Sequence, residues 1–248
     1  MVNLLKFEFR KIRTQKVLFI SLIIFFIIHF INALSTRLLL DAFDEEFYGI
    51  STAEQIIYSA DNFIFTLVSV IVTVVIVCRD YEWGIVKNVY AKGYKRESVY
   101  LSKFLYTAFC ATALYVFEIL ITALTYGLFF GFEWVGGKGV AILFTQYASV
   151  IACFAFYYAV ASITKKMSSA LIISIVAPSI ISLILSLLTF AFKIEDFSLS
   201  SYWISSFMGS LTDYQVTTKR IIECAVCSVI YIGVFTVGGL FINRTTEV

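Results

Sequence analysis

The sequence predicts an all-α polytopic membrane protein with six transmembrane helices, an N-terminal amphipathic interface helix and both termini cytoplasmic. Three observations lead there. Of the 248 residues, 60% are hydrophobic and only 15% are charged. The apolar residues gather into six runs, and a bilayer core about 30 Å thick asks for roughly 20 apolar residues per helix. Lys and Arg are concentrated in alternate connections, as the positive-inside rule requires. Soluble chains are about 45–50% apolar and about 25% charged, so a water-soluble fold would expose too much apolar surface. Six spans and short connections use nearly all of residues 1–248, which are expected to form a single membrane domain with no large soluble catalytic unit. The net charge of +2 is divided among short loops and builds no basic face, so no nucleic-acid partner is expected.

Residues 1–16 come first. Leu4, Leu5, Phe7, Phe9 and Ile12 give an apolar side, and Lys6, Arg10, Lys11, Arg13 and Lys16 are cationic. Such a helix lies in the inner interface against anionic membrane lipids, as a topology anchor or as a mechanical elbow into the first span. The spans are read at Val17–Leu34, Phe63–Cys78, Phe104–Phe130, Val140–Ile163, Ala170–Phe192 and Ile221–Ile242. The second is short and borrows Ile56, Ile57 and Tyr58. No Ala-x-Ala-like site follows the first run, and Asp41, Phe43 and Asp44 come next, so it reads as a retained span rather than a cleaved signal.

Orientation follows from the cations. Besides the N-terminal segment, Arg79, Lys87, Lys92, Lys95, Arg96 and Lys103 share one connection, Lys165 and Lys166 another, and Arg244 the tail. The opposite side holds Arg37, Lys138, Lys193, Lys219 and Arg220. Both termini are therefore expected in the cytoplasm.

The connection 79–103 is the richest polar stretch and too long for a tight helix link. Trp83, Val86, Val89 and Tyr90 recur at helical spacing, which predicts a short amphipathic helix over Glu82–Ala91 that Gly93 ends. Exposed aromatics on such a helix suit docking onto a cytoplasmic partner, and the bland alternative is a solvated positive loop.

Within the spans, Glu118 is midway along the third, where a charge costs on the order of 2.5–3.5 kcal/mol on insertion scales. It reads as a buried carboxylic acid hydrogen-bonded to a neighbouring helix or as a residue of a substrate pathway. The only histidine, His29, reads as a helix-packing residue rather than a metal ligand. Asp61 and Glu223 are placed at solvated outer helix ends. Pro178 kinks the fifth span, with Ser174, Ser179, Ser182 and Ser186 near enough to satisfy freed carbonyls; it reads either as a static kink or as a gating hinge on the substrate pathway. Cys78, Cys110, Cys153, Cys224 and Cys227 sit in apolar runs and read as small hydrophobes. Residues 193–220 hold Tyr202, Trp203, Ile204, Phe207 and Met208 among serines, which suits a helix at or dipping into the outer interface.

The connection 79–103 resembles the cytoplasmic loop between the second and third spans of ABC-2 type transporter permeases, especially the small bacitracin- and lantibiotic-immunity type. The matching residues are Glu82, Gly84, Lys87, Gly93, Arg96 and Lys103, while Ile85 stands where the family has Thr and Lys95 where a small hydroxyl often precedes the Arg. The chain's length, basic N-terminus and span pattern agree with that family from end to end. The resemblance implies a permease that binds no cofactor itself, forms a homodimer or heterodimer with a second permease chain, and docks two copies of an ATP-binding subunit carrying ATP and Mg. It implies ATPase coupling through Glu82, Trp83, Gly84, Lys87, Tyr90, Gly93, Arg96 and Lys103, an outer gate at Tyr202, Trp203 and Phe207, and a prokaryotic plasma membrane location. Its implied substrate is amphipathic, such as a peptide antibiotic or bacteriocin. No phosphate-binding Gly-x-x-x-x-Gly-Lys-[Ser/Thr] occurs, and Gly136-Gly137-Lys138-Gly139 lacks the upstream Gly and the hydroxyl. Two other classes fit the sequence less well. A secondary transporter or channel would show paired broken helices in two halves, and only the fifth span has a breaker. An intramembrane protease is suggested by Glu45-Glu46, but Ile50 stands where its Arg is needed and the companion histidines are missing.

Overall fold

A computed structural model describes residues 2–13, 15–43, 51–192, 198–212 and 215–245. The described chain is all-helical. Its helices are α1 (Val2–Arg10), α2 (Lys16–Phe43), α3 (Thr52–Ser59), α4 (Phe63–Glu82), α5 (Ile85–Ala91), α6 (Arg96–Phe130), α7 (Gly136–Thr164), α8 (Met167–Ala191), α9 (Ile204–Ser210) and α10 (Thr218–Thr245). Helical 3₁₀ turns at Lys11–Arg13 and Leu199–Tyr202 follow α1 and precede α9. Six segments are long and apolar enough to cross a membrane, namely α2, α3 with α4, α6, α7, α8 and α10. The acidic pair Glu45-Glu46, and Lys193 to Phe197 of the outer segment, lie outside the described residues.

Most of the helices begin earlier or end later than the apolar runs suggest, because polar residues continue the helices past the hydrocarbon-like stretch. Helix α4 carries on through Arg79, Asp80, Tyr81 and Glu82, and α6 already starts at Arg96. The connection 79–103 therefore shrinks to α5 and its two flanking turns. The second span does draw on Ile56 and Ile57, both buried, but as a separate helix: α3 stops at Ser59, and Asn62 caps α4 by accepting from the Ile64 amide at 2.9 Å. Tyr58 points outward.

Helix α7 is the hub, packing against α4, α6, α8, α9 and α10. Helices α8 and α10 are the least covered spans and expose rows of Ile, Val and Leu, as lipid-facing helices do. One end of the bundle holds α1, α5, the start of α6, the α7–α8 turn and the end of α10. The other holds α3, α9 and residues 131–135. Helix α6 alone, with 35 residues, separates the ends by about 50 Å at 1.5 Å per residue.

Helix α10 approaches α6 and α7 through Gly239, where a Cβ would strike the Tyr100 hydroxyl and crowd Ala159, while Gly238 beside it faces open space. Gly239→Ala should therefore destabilise the fold by about 1–3 kcal/mol through overpacking, whereas Gly238→Ala should be neutral or gain up to about 1 kcal/mol of helix propensity. Thermal loss of helical circular dichroism in detergent distinguishes the two variants.

Candidate functional site

The α5 end is built around a buried ionic cluster. Lys11 lies 2.9 Å from Glu8 and 2.6 Å from Asp80, and Lys103 lies 3.2 Å from Glu8 and in contact with the same Asp80 oxygen. Glu8, Asp80 and Lys103 are each under 5% exposed. Two carboxylates face two ammonium groups, so the cluster is neutral as a whole, which is the condition under which burying charge is tolerable. It ties α1, its 3₁₀ turn, α4 and α6 at one point. Gln15 and Tyr106 extend the tie, the Tyr106 hydroxyl donating to Gln15 Oε1 at 2.7 Å.

This arrangement revises the reading of residues 1–16. The inward face of the segment is Leu4, Glu8, Lys11 and Gln15, spaced by three or four, while Phe7 and Phe9 remain 42% and 37% exposed. Leu4 joins the apolar cluster of Tyr81, Val86, Val99, Tyr100 and Tyr158. Sequence reasoning missed Glu8 and Asp80. The available signals were a lone acid among five cations and a carboxylate two residues past the end of an apolar run.

Next to the cluster, the α4 helix is broken at Trp83 and Gly84. Gly84 has φ +67° and Gly93 has φ +83°, a left-handed conformation that glycine enters without Cβ strain. The break moves the start of the predicted 82–91 helix to Ile85. It also splits the predicted face: Val86 is fully buried, Val89 and Tyr90 are half-buried, and Trp83 is 68% exposed. Glu82 Oε1 accepts from the Met167 amide at 2.7 Å, capping α8. The guanidinium groups of Arg79 and Arg96 lie over Trp83 and Tyr90, at 5.1 and 5.8 Å from the ring centres. Burial pushes the Tyr90 hydroxyl up to about 12. Partial burial, with Arg96 and Lys87 nearby, depresses Lys165 below the ordinary lysine value. Lys87, Arg96 and Lys165 thus form one positive surface.

The residues singled out for coupling therefore divide. Trp83 and Lys87 are exposed; Gly84 and Gly93 shape the backbone; Glu82 ties the end of α4 to α8, and Tyr90 and Arg96 link α5 to α6; Lys103 is interior.

At the opposite end, Trp203 Nε1 donates to the Pro178 carbonyl at 3.1 Å, so the candidate hinge and the candidate gate touch. Trp203 also packs edge-on against Tyr231 and Phe156, and Phe207 is fully buried. The outer segment thus turns its apolar residues into the bundle instead of lying along an interface. Tyr231 donates to the Tyr202 carbonyl at 3.1 Å, Tyr202 to Glu223 at 3.3 Å, and Arg220 to the Ser201 carbonyl at 2.5 Å. Glu223 is consequently paired and half-buried rather than freely solvated. Gln146, unremarkable in sequence, is fully buried on α7 and donates to the carbonyls of Ile57 and Leu211 at 2.8 and 3.3 Å, pinning α3 and the end of α9. Around Pro178, Ser174 Oγ is buried without a partner among the described residues, and the hydroxyl bond of Ser186 goes to Ser182.

Between the two ends, His29 Nε2 and Glu118 Oε1 are 2.7 Å apart, with Thr122 3.4 Å from the other ring nitrogen. Both residues of the pair are at most 5% exposed. The pair links α2 to α6. No cluster of metal-ligating side chains occurs among the described residues.

The family model for "ABC-2 family transporter protein" matches residues 4–189. The chain belongs to the ABC-2 transporter family. The match runs from the face of α1 through α8 and so contains the ionic cluster, α5, the His29–Glu118 pair and Pro178, while α9 and α10 lie beyond it. A comparison with curated proteins finds no match. The family assignment and six apolar helices make this ABC-2 protein a multi-pass membrane component of a transporter rather than an enzyme, and imply an ATP-binding partner subunit.

Removing one member of the ionic cluster strands a buried charge. Lys103→Met should cost about 3–5 kcal/mol, and Asp80→Leu combined with Lys103→Met should recover part of it, because Glu8 and Lys11 remain paired. Chemical or thermal unfolding of the solubilised variants reads both values. At the membrane-interior pair, His29→Leu should destabilise more than Glu118→Gln, which keeps a hydrogen-bonding amide opposite the imidazole.

Proposed function

We propose that this ABC-2 protein is the permease subunit of an ATP-driven exporter of amphipathic molecules, such as a peptide antibiotic or bacteriocin, in a prokaryotic plasma membrane. The observation that carries the proposal is α5: a seven-residue helix set off by two left-handed glycines, locked inward through Val86, and presenting Trp83 and Lys87 outward. In this reading both termini are cytoplasmic and α1 lies in the inner interface with Phe7 and Phe9 toward lipid. Two ATP-binding subunits, carrying ATP and Mg, dock on α5 of a dimer of permease chains. Their motion passes through Glu82 to α8 and through the ionic cluster to α1, α4 and α6. Midway along α8, Pro178 accepts from Trp203, so in this reading the outer gate touches the same helix that Glu82 caps. This supports a single rigid path between the docking surface and the gate, with Tyr202 and Phe207 as its outer packing.

Affinity purification from native membranes tests the docking surface. Wild-type protein should bring down an ATP-binding subunit. Trp83→Ala with Lys87→Glu should weaken that association about tenfold or more, the scale of an interface hot spot, without lowering the melting temperature. Recovery of the permease without any ATP-binding subunit, from membranes that preserve complexes, would contradict the reading.

A further inference from the structure

The His29–Glu118 pair sits in the seam between α2 and α6, at a depth where a bilayer offers no water. Helix α2 turns one stripe inward, Leu18, Ser21, Phe25, His29 and Ala33, all buried, while Ile23, Ile27 and Ile31 face out. Apolar contacts between helices gain little over contacts with lipid. A polar tie in the middle of that stripe therefore matters to how firmly α2 is held.

His29 is the sole counter-group of Glu118. Its Nε2 is 2.7 Å from Oε1, and the other carboxylate oxygen is buried with no partner among the described residues. Thr122 Oγ1, 3.4 Å from Nδ1, can accept or donate. No other ionisable group acts on the Glu118 carboxylate. Along α2 there is none between Lys16 and Arg37, and along α4, which also packs on α2, none before Cys78. On α6 itself, Tyr115 donates to the Leu143 carbonyl and Tyr126 is bonded to Thr36. The elements on the other sides of α6 keep their groups elsewhere. Glu8 and Lys11 are in the ionic cluster, Tyr147 of α7 is joined to Thr112, and Arg244 of α10 lies beside Glu97. Glu223 of α10 pairs with Arg220, while Glu54 of α3, Lys87 of α5 and Lys138 of α7 are exposed.

In this setting the number of protons decides the net charge. One proton between the two side chains gives a neutral pair, either imidazolium with carboxylate or imidazole with carboxylic acid, and both forms keep the 2.7 Å bond. Removing that proton leaves a carboxylate facing a neutral imidazole. Adding a second leaves a carboxylic acid facing an imidazolium. Either way a net charge is stranded among apolar side chains, which is strongly unfavourable unless water reaches it.

We propose that His29 and Glu118 form a one-proton latch: α2 closes on α6 while the pair holds a single proton, and parts from it when that proton leaves or a second arrives. Freely solvated Glu and His hold one proton between them from about pH 4.3 to about 6.5. Closing the seam therefore takes up a proton above that window and releases one below it, so closure weakens on both sides. Because α2 follows the 3₁₀ turn that carries Lys11, opening of the seam is felt at the ionic cluster. The latch is a property of this chain and does not depend on the permease reading.

Reversible unfolding of the purified full chain in maltoside micelles titrated with dodecyl sulfate, from about pH 3.5 to about 9, spans both free values and tests the latch. The reference is the double variant His29→Gln with Glu118→Gln, whose amides can hydrogen-bond and carry no charge at any pH. Relative to it, the wild-type unfolding constant should be flat inside the window and rise by up to about tenfold per pH unit on either side. The single variants should split the two arms. His29→Gln leaves a lone carboxyl and should weaken only toward alkaline pH; Glu118→Gln leaves a lone imidazole and should weaken only toward acid pH. Cys110, fully buried in the cluster that contains Leu18 and Phe25 of α2, reads the seam locally. At about pH 8.5, N-ethylmaleimide should label it about tenfold faster in the wild type and in His29→Gln than in the double variant, and Glu118→Gln should match the double variant. A wild-type profile parallel to that of the double variant, single variants that weaken toward the same side, or equal Cys110 labelling in all four proteins would overturn the latch. None of these results bears on recovery of the ATP-binding subunit.

Discussion

The four-residue ionic cluster of Glu8, Lys11, Asp80 and Lys103 is the constraint on which the α5 end depends. Its members come from α1, the 3₁₀ turn after it, α4 and α6, and Glu8, Asp80 and Lys103 are too deeply placed to find water as a substitute partner. Because the charges balance only together, the position of α1 is fixed relative to α4 and α6. Fixing α4 and α6 fixes the short segment between them. Helix α5 is therefore presented at a defined angle, despite its length and the two glycine turns that flank it.

The same logic extends along the molecule. Glu82 caps α8 at one end, and the Pro178 carbonyl midway along it receives Trp203. Helix α7 holds the middle, with Gln146 gripping α3 and the end of α9 by their carbonyls. Polar contacts thus occur where the chain must be held in register, and apolar packing fills the space between them. In a bilayer, where apolar surface gains little by leaving lipid, such contacts and close packing at small residues carry helix association. Gly239 against Tyr100 is the packing counterpart of the polar grips.

How much of this could be read from the sequence depended on the kind of signal. The six spans were legible because each is a long apolar run, although helix ends were misjudged wherever polar residues such as Arg79–Glu82 or Arg96–Lys103 continued the helix. Gly93 was legible as a helix stop. Gly84 was matched to a motif, but its consequence, the break that moves Trp83 to the surface, depends on a left-handed backbone that no hydropathy pattern reports. His29 and Glu118 could each be flagged as costly in a membrane; that they pay that cost jointly, across 89 positions, is a tertiary fact. Glu8, Asp80 and Gln146 escaped notice because each has meaning only through a partner on another helix. Asp61 was placed at a helix end, correctly near a break, yet assigned to solvent because α9, whose Gly209 lies against its carboxylate, comes from far along the chain.

The claim that organises these observations is that the α5 end, and not the α9 end, meets the ATP-binding subunit. Two exposed tryptophans report on it directly, Trp83 at the α5 end and Trp134 at the other. Replacing each in turn by a photoreactive phenylalanine, and irradiating native membranes, measures which end touches that subunit. The account predicts a cross-link to an ATP-binding chain from position 83 and none from position 134. A cross-link from 134 with none from 83 would contradict it.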